Sequence, residues 1–440
     1  MADTLPDPVT TAHKEFQRRD SEIQLERNQK NRLFRRFRWA LLDKAKLENL
    51  VATLKDYNDG LFHLLSAIER RRVLHGLGPE LITTDEPEVL AELKDALTPQ
   101  LGVIRETIAL RQGRPGYISN VVDQGTGLPS HLSTGLIANA RLKFQESVPS
   151  DQNRTIARYH PDGTIEGEEV TVLVEWKNLN FDESRAVKES IQTRVASLAQ
   201  YLSNNSRPEG FCVPQCYGYV IEDGARFGLV FRHPFSNEPS NPQQPPTLHT
   251  LLDSKNVPPL GERFNLAYRL SLTFSILHTT GWLHKGIRSQ NIMLSPKGGL
   301  KDFALMGFEC TRPNLLHAFS SIAVSSDHEQ NLYRHLKAQG SHRQRFSRAF
   351  DIYALGIVLL EIAYWRRIKK FWQDGHTPET FREDLWSFHT PRLSAIVGTI
   401  YMEVVDKCIS GKLAEETTGE HESQTRFFDT VVRPLSSLVA

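Results

Sequence analysis

The densest run of residues able to do chemistry is Leu283-His284-Lys285-Gly286-Ile287-Arg288-Ser289-Gln290-Asn291-Ile292-Met293-Leu294. A histidine, two cations and an asparagine stand there within eight positions. Lys177 closes a second run, Val172-Leu173-Val174-Glu175-Trp176-Lys177. Asp302 opens a third, Asp302-Phe303-Ala304, a few residues before Gly307-Phe308-Glu309. Metal chemistry is not expected. Cys212 and Cys216 are spaced C-x3-C while Cys310 and Cys408 stand far off, and a structural zinc site needs two tight pairs. The cysteines therefore read as reduced thiols of the core. No H-x-x-x-H pair sits beside a carboxylate on a helix. Trp282 and Trp365 read as core residues.

These residues must be positioned by elements that the sequence punctuates. Leu33, Phe34, Phe37 and Leu41 recur at helical spacing, as do Leu47, Leu50, Val51 and Leu54, then Leu61, Leu64, Leu65 and Ile68. Leu90, Leu93, Leu97 and Leu101 predict a further helical stretch from about Pro87 to Leu110. Residues 112–153 are rich in Gly, Pro, Ser and Asn and read as a linker. From Arg154 the period shifts towards two. Strands are predicted over Thr155–Tyr159 and Glu169–Lys177, with Gly163 in the turn between them. A helix follows over Asp182–Leu202, then strands over Cys216–Ile221 and Arg226–Phe231. Beyond the Pro-rich Asn237–Pro246 the chain reads as mostly helical, including a helix over Phe264–Thr279.

The 283–294 run resembles the catalytic loop of protein kinases, H-R-D-L-x-x-x-N. Asp351-Ile352-Tyr353-Ala354-Leu355-Gly356 with Glu361 resembles a helix of the kinase large lobe. Tyr333-Arg334-His335 resembles the return of the activation segment, and the Val172–Lys177 run resembles the strand carrying the phosphate-pairing lysine. The resemblance implies an α+β, bilobal, protein-kinase-like fold. Its small lobe is β-rich, its large lobe helical, and a helical region precedes both. It implies ATP with Mg²⁺ as cofactor, with Lys177, Asn291 and Asp302 as candidate binding residues. Weak or no binding is expected, because the catalytic loop is degenerate at His284, Gly286 and Asn291. Gly286 replaces the carboxylate that orients the acceptor hydroxyl. The metal-binding carboxylate falls either on Asp302, by literal match, or on Gly307, by strand register. No cluster of glycines stands between Arg154 and Lys177 to cradle phosphates. The partner of Lys177 on the following helix is Glu189 or Arg194. Asp351 is expected to hold the catalytic-loop backbone, and Glu361 to pair with an arginine.

Phe34 to Leu65, with Phe37-Arg38-Trp39-Ala40-Leu41-Leu42-Asp43-Lys44 and Leu54-Lys55-Asp56-Tyr57-Asn58-Asp59-Gly60-Leu61, resembles the later helices of the HeLo-type domain of fungal prion-inhibition and cell-death proteins. Residues 1–32 are too charged to form an apolar membrane-entering helix. The domain reading is a polar start (1–30), a HeLo-like helical region (31–111), a linker (112–153), a small lobe (154–236) and a large lobe (237–440). It implies a catalytically impaired pseudokinase acting as a regulated binding and signalling module in non-self recognition or cell death. An active atypical Ser/Thr kinase and a membrane-active helical toxin are the alternatives. The implied partner is a protein or a second copy, engaged through the helical region. Arg35, Arg36 and Arg38 beside Phe34 and Phe37 offer a minor route to an anionic membrane surface.

Composition narrows the classes further. The chain has 440 residues, too many for one ordinary core, and a net charge of +1, which argues against a dedicated nucleic-acid binder. Its first residues lack the basic and apolar regions of a signal peptide, so a cytoplasmic location is expected.

Overall fold

The computed structural model describes, beyond scattered residues from 52 to 60, residues 63–97 (85 excepted), 101–113, 135–144, 153–161, 169–179, 185–222, 226–235, 244–314, 327–339, 343–415 and 420–439. Two compact units are present, Met1–Arg71 and Arg72–Ala440. The second therefore begins inside the helical stretch read over 31–111. In the first, Ser66 and Glu69 form a reciprocal capping box: Glu69 N–H donates to Ser66 Oγ at 3.2 Å and Ser66 N–H to Glu69 Oε2 at 2.8 Å.

The second unit is mixed α+β. Its strands β1 (Leu142–Phe144), β2 (Arg154–Tyr159), β3 (Val170–Asn178), β4 (Cys216–Glu222) and β5 (Arg226–Arg232) form one antiparallel sheet in the order β1-β2-β3-β5-β4. β3 is central and buried from Thr171 to Trp176, which is why it reads as a nearly unbroken apolar run. Its side chains alternate between faces. Val172, Val174 and Trp176 pack with Ile137, Leu142, Tyr159 and Val230 on one side. Leu173 packs on the other with Ile191, Val195 and Leu198 of the helix Arg185–Ser203. Glu175 and Lys177 share the Leu173 face by the same alternation.

Residues 135–144, read as linker, instead finish this sheet. Leu136 bridges Tyr219, and β1 pairs with β2 at the edge. A three-residue strand is too short to leave a period in the sequence.

Two helices buried along most of their length, Leu260–Thr279 and Arg348–Tyr364, form the middle of the helical layer. Two small ladders sit between that layer and the sheet. Strands β6 (Trp282–Leu283) and β9 (Arg312–Pro313) make one; β7 (Ile292–Ser295) and β8 (Gly299–Leu305) make the other. They hold the 284–291 loop against the 306–311 turn.

The stretch predicted as one helix over 87–110 is two, Pro87–Ala96 and Gly102–Gln112. The first ends where Leu97 takes up extended backbone, with ψ 135°. The predicted stripe nonetheless packs together, with Leu90 buried beside Leu93, Leu97 and Leu101. This helical pair is fastened to the rest of the unit. Arg111 donates to the Thr279 carbonyl, and Asn204 Nδ2 donates to Ala109 O at 3.0 Å.

Candidate functional site

Asp351 arranges the 284–291 loop. Its carboxylate accepts the backbone N–H groups of His284 and Lys285, both at 2.8 Å, and lies 3.3 Å from His278 Nε2. This holds Lys285 in left-handed backbone, φ 64°, a conformation unusual for a side chain with a Cβ. His284 is structural. It accepts from Gly286 N–H at Nδ1, which leaves Nε2–H to donate to Met306 O at 3.1 Å. Burial pushes its pKa down to about 4, so the ring is neutral.

A second buried carboxylate arranges the facing turn. Glu175, 1% exposed, accepts Gly307 N–H at 2.8 Å and Phe308 N–H at 2.7 Å. Arg154 stands directly opposite it on β2 and donates Nε–H to Glu175 Oε1 at 2.8 Å. The same guanidinium reaches on to Gln290 O at 3.1 Å and to Asn291 Oδ1. One arginine thus ties the sheet to the 284–291 loop. Burial raises the Glu175 carboxyl above its ordinary range, against the pull of Arg154.

The candidate residues fall into place around this pair. Asn291 is fully buried, with both ends of its amide engaged: Nδ2 donates to Gly286 O at 2.6 Å, and Oδ1 accepts from Arg154. Its oxygen is therefore taken by a cation of the chain itself. Gly286 and Gly307 face each other. A Cβ at 286 would lie 2.9 Å from Gly307 O, and one at 307 would lie 2.1 Å from Asn291 Nδ2, at a φ of 96°. Neither position has room for a carboxylate in this arrangement. Lys177 donates Nζ–H to Glu309 O at 3.0 Å. Arg194 is buried and lines the same small cavity as Glu175 and Lys177, whereas Glu189 is exposed and pairs with Arg185 at 2.8 Å.

Two expectations are corrected. Asp302 does not face the loops. It is exposed on β8 beside Gly298, because the strand alternation that buries Phe303 turns Asp302 outward. It lines neither of the two cavities that Lys177 borders. Glu361 does not take an arginine. Its Oε1 accepts from Tyr333 OH at 2.8 Å and from Ile368 N–H at 2.7 Å. Burial raises its pKa to about 8, against the pull of these two hydrogen bonds.

Sequence reading missed Glu175 and Arg154. The signal was present: a carboxylate inside an apolar run that becomes a central strand must find a partner, and the cross-strand position is the first place to look.

All four cysteines are free, with Cys216 and Cys408 buried. Trp282 and Trp365 are core residues. Among the described residues no group of three His, Cys, Asp or Glu could hold a metal ion, and no helix is long and apolar enough to cross a membrane. The Phe34–Arg38 segment lies outside the described residues.

No curated protein matches the chain. Residues 4–93 match the family described as HeLo, prion-inhibition and propagation, a span that takes in the polar start read as separate from the helical region.

Proposed function

We propose that the chain is a HeLo-type regulator of cell death or incompatibility. In this reading its second unit is a protein-kinase-like module, emptied of chemistry, that acts by binding. The match over residues 4–93 supports the HeLo half. The kinase-like half rests on the order of the motifs, on an antiparallel sheet with one helix against it, and on a helical layer presenting the 284–291 loop to the 306–311 turn.

The observation that carries the loss of chemistry is the Arg154–Glu175 pair between the two loops. Phosphoryl transfer needs one carboxylate to orient the acceptor hydroxyl and another to hold Mg²⁺. The resemblance assigns these to Gly286 and Gly307, where a side chain does not fit. It also asks for a cation facing the 307–308 turn. The β3 residue that reaches this turn is Glu175, which shifts the phosphate-lysine position two residues back from Lys177 and reverses its charge. Arg194, at the partner position on the next helix, reverses that charge as well. ATP would meet a carboxylate in place of a lysine, and an arginine already bonded to Asn291.

The test is a thermal-shift titration of the full chain with ATP, with and without Mg²⁺, alongside a γ-phosphate transfer assay. No shift and no transfer are expected, since a non-binder gains nothing by mass action. Metal-dependent transfer abolished by Lys177→Ala would overturn the reading.

A further inference from the structure

Arg366, Lys369 and Lys370 stand exposed on the turn that follows the helix Arg348–Tyr364. The run Trp365–Trp372 holds four cations and no carboxylate. The fourth, Arg367, is taken, since its Nε lies 3.4 Å from Asp253 Oδ2. The other three form no ion pair among the described residues. The turn is held in one shape. Asp253 and Trp365 both take left-handed backbone, φ 68° and 52°, and Asp253 N–H donates to Trp365 O at 3.2 Å. Such backbone is costly for a residue with a Cβ and persists only where its surroundings impose it. Arg263, near the start of the helix Leu260–Thr279, ties the surroundings together. It donates to Pro258 O at 3.1 Å and to Ala363 O at 2.7 Å.

The helix Pro87–Ala96 carries the opposite charge. Glu88, Glu92 and Asp95 are exposed along one stripe of it, at i, i+4 and i+7, while Leu90 is buried. None of the three pairs with a cation among the described residues. Like charges four apart on a helix repel, and Asp95 in the last turn opposes the helix dipole, so helix stability does not account for the stripe. This helix packs on Gly102–Gln112, whose Val103, Ile104 and Thr107 meet Leu272, Ser275 and Thr279. The basic turn thus belongs to the start of the helix Leu260–Thr279 and the acidic stripe to its end, on an element about 30 Å long.

We propose that the basic turn of one copy takes the acidic stripe of a second copy, with Arg366, Lys369 and Lys370 facing Glu88, Glu92 and Asp95 in a head-to-tail contact. The charges are complementary, and their separation along the helix keeps one copy from satisfying itself. A net charge of +1 sets up no general repulsion between copies. An anionic membrane is a poorer match for the turn, because the rings of Trp365 and Phe371 are buried and do not reach lipid headgroups. A head-to-tail contact leaves one surface open on each end copy, so the assembly grows with concentration unless it closes into a ring. The contact stands apart from the reading of the chain as an inactive kinase, because it requires neither ATP nor transfer.

The experiment follows the mass of the full chain by sedimentation equilibrium over a range of concentrations, at low and at high sodium chloride. At low salt the mass should rise with concentration, and at high salt it should return to that of one chain. Lys369→Glu with Lys370→Glu, and separately Glu92→Lys with Asp95→Lys, should each weaken association about tenfold, since two attractions become repulsions. All four positions are exposed, so both variants should melt as the wild type does. Mixed in equal amounts the two variants should associate again, because each keeps the surface that the other has lost. A single-chain mass at low salt, association that both variants leave unchanged, or a mixture that stays apart would overturn the proposal. Binding of the wild type to phosphatidylserine vesicles without self-association would also overturn it, in favour of a membrane partner for the turn. Its failure differs from that of the inactive-kinase reading, which ATP-dependent transfer alone decides.

Discussion

Asp351 and Glu175 solve the same problem on two facing loops. Each is a buried carboxylate that takes two consecutive backbone N–H groups, His284 and Lys285 for one, Gly307 and Phe308 for the other. They differ in what else they touch. Asp351 meets His278, a neutral neighbour within the helical layer. Glu175 meets Arg154, whose guanidinium extends to the 284–291 loop. The first contact fixes one loop to its own scaffold. The second fills the space between two loops and leaves the Asn291 amide oxygen already bonded. Holding a loop requires only backbone N–H groups and an acceptor, so any side chains between them can change. A reactive centre requires particular side chains, and positions 286 and 307 on these loops are glycines.

Removing each carboxylate tests this contrast. Asp351→Ala leaves two buried N–H groups without acceptors and should cost about 4 kcal/mol in denaturant unfolding, the largest single effect expected. A loss below about 1 kcal/mol would mean that the loop is held by other contacts. Glu175→Gln keeps an acceptor but strands the Arg154 charge, which is 11% exposed, and should cost about 2 kcal/mol. Pairing it with Arg154→Met should recover much of that loss. If the double variant is no better than the single, the ion pair is not what matters there.

Glu361 sharpens the comparison, since it is buried and its carboxylate meets the Tyr333 hydroxyl and the Ile368 N–H. Its pKa is about 8 in the folded chain against an ordinary 4.5. Between those values the unfolded state has released its proton while the folded state keeps it. Stability should therefore fall as pH rises from about 4.5 to 8. Glu361→Gln should remove this slope, raising Tm relative to wild type at pH 8 and changing it little at pH 4.5. Parallel melting profiles for the two proteins would refute the assignment. The smallest effect is expected at Glu189, whose exposed pair with Arg185 is worth roughly 0.3–0.5 kcal/mol. Glu189→Ala should leave melting nearly unchanged; a large loss would return this residue to the site.

Much of the sheet was legible from the chain. The apolar run over Val172–Trp176 and the punctuated strands after it marked β3, β4 and β5 to within a few residues. The helix before the loop was also legible, though it starts at Leu260 rather than Phe264. The edge at 135–144 was not, because its strand is three residues long and its partner, Tyr219, lies far along the chain. Asp351 was read as a backbone anchor and is one. The partner of Glu361 was out of reach, because Tyr333 and Ile368 approach it only after the helical layer has packed.

The sequence alone determined that positions 286 and 307 carry no side chain, which closes side-chain chemistry to them wherever they lie. It also determined that Glu175 and Lys177 share a face, since strand periodicity is a local property. Only the tertiary structure decided which of the two reaches the 307–308 turn, and that Arg154 comes to bridge the loops. Depth along a shared face depends on how far the sheet slides over the layer beneath it, and no local pattern encodes that distance.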